Sequence, residues 1–406
     1  MGILRGFMCP KIGSVAEQDR TENPPGGSIR EGVVPPAAAG ADPEALSRLP
    51  LREDLKGQSP YGAPMIHVPC ALNVNENTHP LPEEVIEALT ARIRQAATTL
   101  NRYPDRDLLA LRGALAKYLG HGLTSANLWA ANGSNEILQQ ILQAFGGPGR
   151  KVLSFAPTYS MYPLLANGTA TEYITGTREP DFSLTACSAT AQVREHQPTV
   201  TILCSPNNPT GTALSHDTIQ AVYEAAAEHG GIVIVDEAYA EFARNPEDTA
   251  LNLLPGRERL IVSRTMSKAF ALAGARIGYF AAAPAMVEAM MLVRLPYHLS
   301  AVTQAAGLAA LEHSTQLLAA VEDIRTQRDR IVEELARLDL EPAPSDSNFV
   351  FFGRIRDASG LWEDLLHDGV LIRDVGIPGF LRVTAGTEEE TTCFLDSIQR
   401  HLPGRR

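Results

Sequence analysis

Cysteine is scarce in this chain. The five residues Cys9, Cys70, Cys187, Cys204 and Cys393 lie far apart, are odd in number and form no Cys-x-x-Cys pair. That excludes a disulfide-stapled scaffold and a cysteine zinc site, and it fits a reduced intracellular protein. The ten histidines show no metal-ligand spacing, so no metal is expected. Basic charge is also short. Against 47 Asp and Glu stand 35 Lys and Arg, a net charge of −12, which argues against nucleic acid or an anionic membrane as a main partner. No long apolar run is present. The least polar stretch, residues 269–293, contains Arg276, Pro284 and Glu288, so no membrane span is expected. The opening residues MGILRGFMCPKIG lack the apolar core of a secretory signal. Gly146, Gly147 and Gly149 match neither the dinucleotide fingerprint nor a P-loop. The expectation is a cytoplasmic protein.

What is present suffices for two domains, since 44% of 406 residues are apolar. Residues 1–45 are rich in Gly, Pro, Glu and Ala with little apolar periodicity, and read as a disordered tail. Short apolar strands at 151–155, 170–174, 200–204, 232–235 and 260–263 are separated by longer segments, one of them a clear helix at 217–229. That alternation indicates βαβ units and a mostly parallel sheet. Helical spacing also marks 82–98, 108–119, the stripe Ile137, Leu138, Ile141, Leu142 and Phe145, and 300–312 and 319–338. Beyond these, short strands at 348–352, 370–373 and 380–384 mix with helices at 360–367 and 388–401. The expected fold class is α/β. A large domain, residues 99–312, would hold the parallel sheet between helices, and a smaller α+β domain would combine 46–98 with 313–406.

The chemistry centres on residues 260–280, LIVSRTMSKAFALAGARIGYF. A strand runs into a polar turn carrying Thr265, Ser267 and Lys268, and Arg276 follows eight positions after the lysine. Ligands of open α/β sheets bind at the carboxyl ends of the strands. Lys268 suits Schiff-base formation with a carbonyl, and the hydroxyls and guanidinium suit a phosphate. Pyridoxal phosphate carries both groups. A lone surface lysine is the alternative.

A second element, GIVIVDEAYAEF, places Asp236 at a strand end with Tyr239 three residues on. Asp236 would either face a pyridine nitrogen or cap a helix. Asn208, in the turn SPNNPTG after the strand at 200–204, would lie at the same edge. Ser134 and Asn135 open a helix whose free N–H groups suit a phosphate, or else form an ordinary cap. Tyr159 would stack on a ring or fill the core. Arg373 and Arg382, each following apolar strand residues, would meet an anion or form surface salt bridges.

TMSKAFALAGAR, SPNNPTG, VDEAYAEF and NGSNE, in this order and spacing, resemble the fold-type I pyridoxal-phosphate aminotransferases. With LNVNEN, NRYPD, VRLPYHLS, SNFVFF and RDVGIPGFLRVTAGT, residues 47–400 look like the actinobacterial histidinol-phosphate aminotransferase family. The resemblance implies roles. Lys268 would hold the cofactor covalently and shuttle a proton, with Asp236, Tyr239 and Asn208 tuning its ring and Tyr159 stacked on it. Ser134, Asn135, Thr265, Ser267 and Arg276 would bind its phosphate. Tyr103 would reach the phosphate in a neighbouring subunit, implying a homodimer. Tyr61, Arg373 and Arg382 would bind the phosphate of histidinol phosphate or the carboxylates of glutamate and 2-oxoglutarate. An aromatic-amino-acid transaminase is the nearest rival. A decarboxylase, or a regulator of the same fold lacking the basic helix-turn-helix it needs, stands further off.

Overall fold

The computed structural model describes residues 48–56, 62 and 66–405. The expected tail and Tyr61 lie outside the described residues.

Seven strands form the central sheet: β2 (Leu128–Ala131), β3 (Lys151–Ala156), β4 (Glu172–Thr177), β5 (Val200–Cys204), β6 (Ile232–Asp236), β7 (Leu260–Thr265) and β8 (Gly278–Ala282). The order across it is β2-β8-β7-β6-β5-β3-β4. Strand β8 runs antiparallel to both its neighbours, and the other six share one direction. This is the mostly parallel α/β sheet expected from the strand pattern. Every residue of β5, β6 and β7 is buried, which explains their unbroken apolar runs: helices cover both faces. Alternate residues feed two cores. Leu153, Val233, Val235 and Val262 join one with Leu111 and Ile219, while Val152, Ile202, Ile234 and Ile261 join the other with Ile137 and Leu138.

A third core lies outside this sheet. It gathers Ile324 and Ile331 of the helix Ala320–Arg337, Phe394 of the helix Glu388–His401, and residues of β9 (Phe349–Phe352), β10 (Val370–Leu371) and β12 (Leu381–Thr384). The chain's first strand, β1 (Cys70–Ala71), pairs in parallel with β10, so residues near both ends of the described chain meet here. β11 (Arg373–Asp374), β12 and β9 form an antiparallel trio.

The helix Glu83–Ala97 differs from the expected grouping. Its Val85 and Leu89 pack into the first core of the large sheet, and it lies against the helix Ala301–Glu312. Its apolar stripe matches that face of the large unit, so among the described residues the smaller core takes only Cys70 and Leu72 from this side. Among the described residues, no helix is long and apolar enough to cross a membrane.

Candidate active site

Because β3, β5, β6 and β7 run parallel, their carboxyl ends open on one edge. A cavity of about 580 Å³ lies there, lined by Ser134, Asn135, Tyr159, Asn208, Asp236, Tyr239, Thr265, Ser267, Lys268, Arg276, Arg373 and Arg382. All these residues singled out in the sequence come together, although they span 249 positions (382 − 134 + 1).

One end of the cavity is built for an anion. The helix Ser134–Phe145 begins after Gly133, which has φ 84° and supplies no side-chain cap, so the first N–H groups remain open to the pocket. Thr265 Oγ1 donates to Ser267 Oγ at 3.0 Å, and Arg276 Nη1 donates to the same oxygen at 3.3 Å. The approach is close enough to require glycine. A methyl group at Gly278 would overlap the backbone nitrogen of Ser134, and one at Gly133 would overlap Arg276 Nη2.

Lys268 stands beside this anion end, its Nζ donating to the Val74 carbonyl at 3.0 Å. Burial, then the positive charge of Arg382, pushes its ammonium down to about 8, against the pull of Glu76. A lysine so placed offers a neutral, nucleophilic amine near physiological pH.

Asp236 ends β6 fully inside the protein. Burial pushes its carboxyl up, opposed by hydroxyls that donate to it: Tyr162 to Oδ2 at 2.9 Å and Ser263 to Oδ1 at 3.0 Å. Among the described residues no lysine or arginine pairs with it. A buried carboxylate held only by neutral donors suits a cationic ring N–H, so the donor set fits a pyridine ring as well as a phosphate.

The Tyr239 hydroxyl accepts from Asn75 Nδ2 at 3.0 Å and lies 3.5 Å from Asn208 Nδ2. Arg382 Nη1 donates to Asn208 Oδ1 at 2.6 Å and Nη2 to the Asn73 carbonyl at 2.8 Å, with its guanidinium 5.1 Å from the Phe349 ring centre. Tyr159 donates to Asn135 Oδ1 at 3.3 Å.

Residues 69–398 match the family model described as aminotransferase class I and II. The chain belongs to the class I and II aminotransferases. It is 66% identical over 361 residues to the histidinol-phosphate aminotransferase of Paenarthrobacter aurescens, covering 89% of this chain and 97% of that one. It is 56% identical over 354 residues to that of Thermobifida fusca, covering 87% and 96%. A solved histidinol-phosphate aminotransferase from Sinorhizobium meliloti, in complex with pyridoxal-5'-phosphate, superposes with a TM-score of 0.74 at 27% identity, over 83% of this chain and 92% of that one.

One residue implicated by the sequence motifs stands apart in this aminotransferase. Tyr103 does not line the cavity. It is 79% exposed and stacks on Tyr297, ring centres 4.3 Å apart. Tyr61 lies outside the described residues. Reading the motifs also missed Asn75, Tyr162 and Ser263, which orient Tyr239 and Asp236. Tyr162 sits in an apolar helical stretch and Ser263 inside an apolar strand, so neither carries a local signal. Asn75 lies within NVNEN, whose turn-like composition was the one hint.

Proposed function

We propose that this aminotransferase exchanges an amino group between histidinol phosphate and 2-oxoglutarate, giving imidazole acetol phosphate and glutamate, as a step of histidine biosynthesis in the cytoplasm. The names of its relatives from Paenarthrobacter aurescens and Thermobifida fusca support the substrate. The observation that carries the reading is one cavity holding Lys268 and, besides Arg276 at its anion end, the two arginines Arg373 and Arg382. The lysine serves transamination; the arginines suit a phosphate or a second carboxylate on the substrate.

The cofactor in this reading is pyridoxal 5'-phosphate, which supplies an aldehyde for the amino group and a ring that accepts the electron pair left when the α-proton departs. Lys268 would hold the aldehyde covalently, and its amine, when free, would take the α-proton and return it. Asp236 would face the ring nitrogen, Asn208 and Tyr239 the ring oxygen, and Tyr159 the ring face. Ser134, Asn135, Thr265, Ser267 and Arg276 hold the phosphate, joined by Tyr103 of a second copy in a homodimer. Tyr61, Arg373 and Arg382 bind the phosphate of histidinol phosphate and the distal carboxylate of glutamate in turn.

The test is a comparison of kcat/KM for histidinol phosphate and phenylalanine with 2-oxoglutarate as acceptor. A preference for histidinol phosphate supports the reading. A preference for phenylalanine would make the protein an aromatic transaminase.

A further inference from the structure

Both oxygens of the Asp236 carboxylate are engaged by hydroxyl groups to which the sequence motifs gave no role. Tyr162 comes from the helix Met161–Gly168, is completely buried, and donates to Oδ2 at 2.9 Å. Ser263 is the partner of Asp236 in the β6–β7 register and donates to Oδ1 at 3.0 Å. Tyr162 is itself held in place, with the Tyr159 ring standing edge-on to it at 5.5 Å and 88°.

The arrangement answers a problem set by burial. A carboxylate taken out of water becomes a stronger base, because its charge is disfavoured there. Glu237, the next residue, adds to this with its own negative charge. When such a group shares one proton with a pyridine nitrogen, a stronger base keeps the proton on its own oxygen. The ring is then neutral and a poor acceptor of electrons. Hydroxyls that donate to the carboxylate stabilise its charged form and oppose that outcome.

We propose that Tyr162 and Ser263 are positioning residues that hold Asp236 as an anion and so leave the shared proton on the ring nitrogen of the bound cofactor. The proposal rests on the reading of Asp236 as the partner of that nitrogen. No proton enters or leaves: the same proton sits on nitrogen when both hydroxyls are in place and shifts toward the carboxyl oxygen when one is missing. Cys204 adjoins the same group: its thiol donates to the Pro206 carbonyl at 3.6 Å and also meets the Tyr162 hydroxyl.

The experiment loads the full chain with pyridoxal phosphate carrying nitrogen-15 in the ring and records the nitrogen resonance of the bound cofactor. In the wild type it should fall at the position of a protonated pyridine. In Tyr162→Phe it should move toward the neutral position, in Ser263→Ala likewise, and furthest in the double variant. The kcat of Tyr162→Phe should drop about tenfold, the size of one hydrogen bond to a charged group, with KM little changed. A role confined to packing would leave the resonance where it was. Single variants with the wild-type resonance would overturn the proposal while leaving the Asp236 assignment intact. A wild-type resonance already at the neutral position would overturn both. Should Tyr162→Phe fail to fold, Ser263→Ala carries the same test, and an unmoved resonance there decides against the proposal.

Discussion

Arg373 and Arg382 stand directly opposite each other on the antiparallel pair β11–β12, and both line the cavity. Like charges at facing positions repel, and the pair makes sense where an anion lies between them. Arg382 is also buried and braced by Asn208 and the Asn73 carbonyl. Arg373→Ala should raise the KM for histidinol phosphate and for glutamate about tenfold or more, with the melting temperature nearly unchanged. Arg382→Ala should raise both KM values further and also lower kcat, because Asn208 loses its support. Steady-state kinetics on both substrates checks this; unchanged KM values in both variants would remove the arginines from substrate binding.

The lowered Lys268 ammonium predicts a pH dependence. The folded chain releases this proton near pH 8, where an ordinary lysine holds it to 10.5. Uptake of pyridoxal phosphate by the cofactor-free protein needs the neutral amine, so its rate should rise with pH and be half-maximal near 8. The stability consequence has the same sign. Between 8 and 10.5 the unfolded chain binds one more proton than the folded one, so the cofactor-free protein should gain stability as pH rises through that window. Stopped-flow absorbance measures the uptake. A midpoint at the ordinary lysine value would contradict the assignment.

Gly278→Ala should weaken phosphate binding at the helix start. The added methyl would press on backbone, against both Gly133 C and Ser134 N, where no side chain can swing away. Titration with pyridoxal phosphate should show an affinity lower by about a hundredfold, or a chain that does not fold. A variant binding like the wild type would show that β8 does not set the height of the anion cup.

Behind the site, Arg264 lies 2.8 Å from Glu237 and 3.4 Å from Glu241, with the three side chains no more than 9% exposed. Register places this cluster one residue beyond the Asp236–Ser263 pair. Arg264→Ala would strand two carboxylates and should cost about 3–5 kcal/mol of stability by urea unfolding. A loss below about 1 kcal/mol, the range of surface pairs, would mean that water reaches the cluster.

The sequence foretold the central strands well where burial on both faces makes them continuous: VTILC at 200–204 forms β5 over the same residues. It hid β2 and β8. LWAA and GYFAA are short and rich in small residues, and neither is among the strands expected from the sequence. Pairing makes them strands: β2 joins β8 from starts 150 positions apart at Leu128 and Gly278, and β8 also joins β7. The site was legible for the same reason as the parallel sheet, since polar residues just after apolar strands must collect at one edge. Tyr162 escaped because its partner lies 74 positions away and its own neighbours are apolar. The helix Glu83–Ala97 was recognisable as a helix, but an amphipathic stripe does not say which of two cores it covers.

The central claim is that Lys268 bonds covalently to the cofactor. Borohydride reduction of the loaded protein, followed by proteolysis and mass spectrometry, tests it directly. The peptide containing Lys268 should carry a phosphopyridoxyl group, and a Lys268→Ala variant should neither take up the label nor turn over. A label on another lysine, or an active alanine variant, would contradict it.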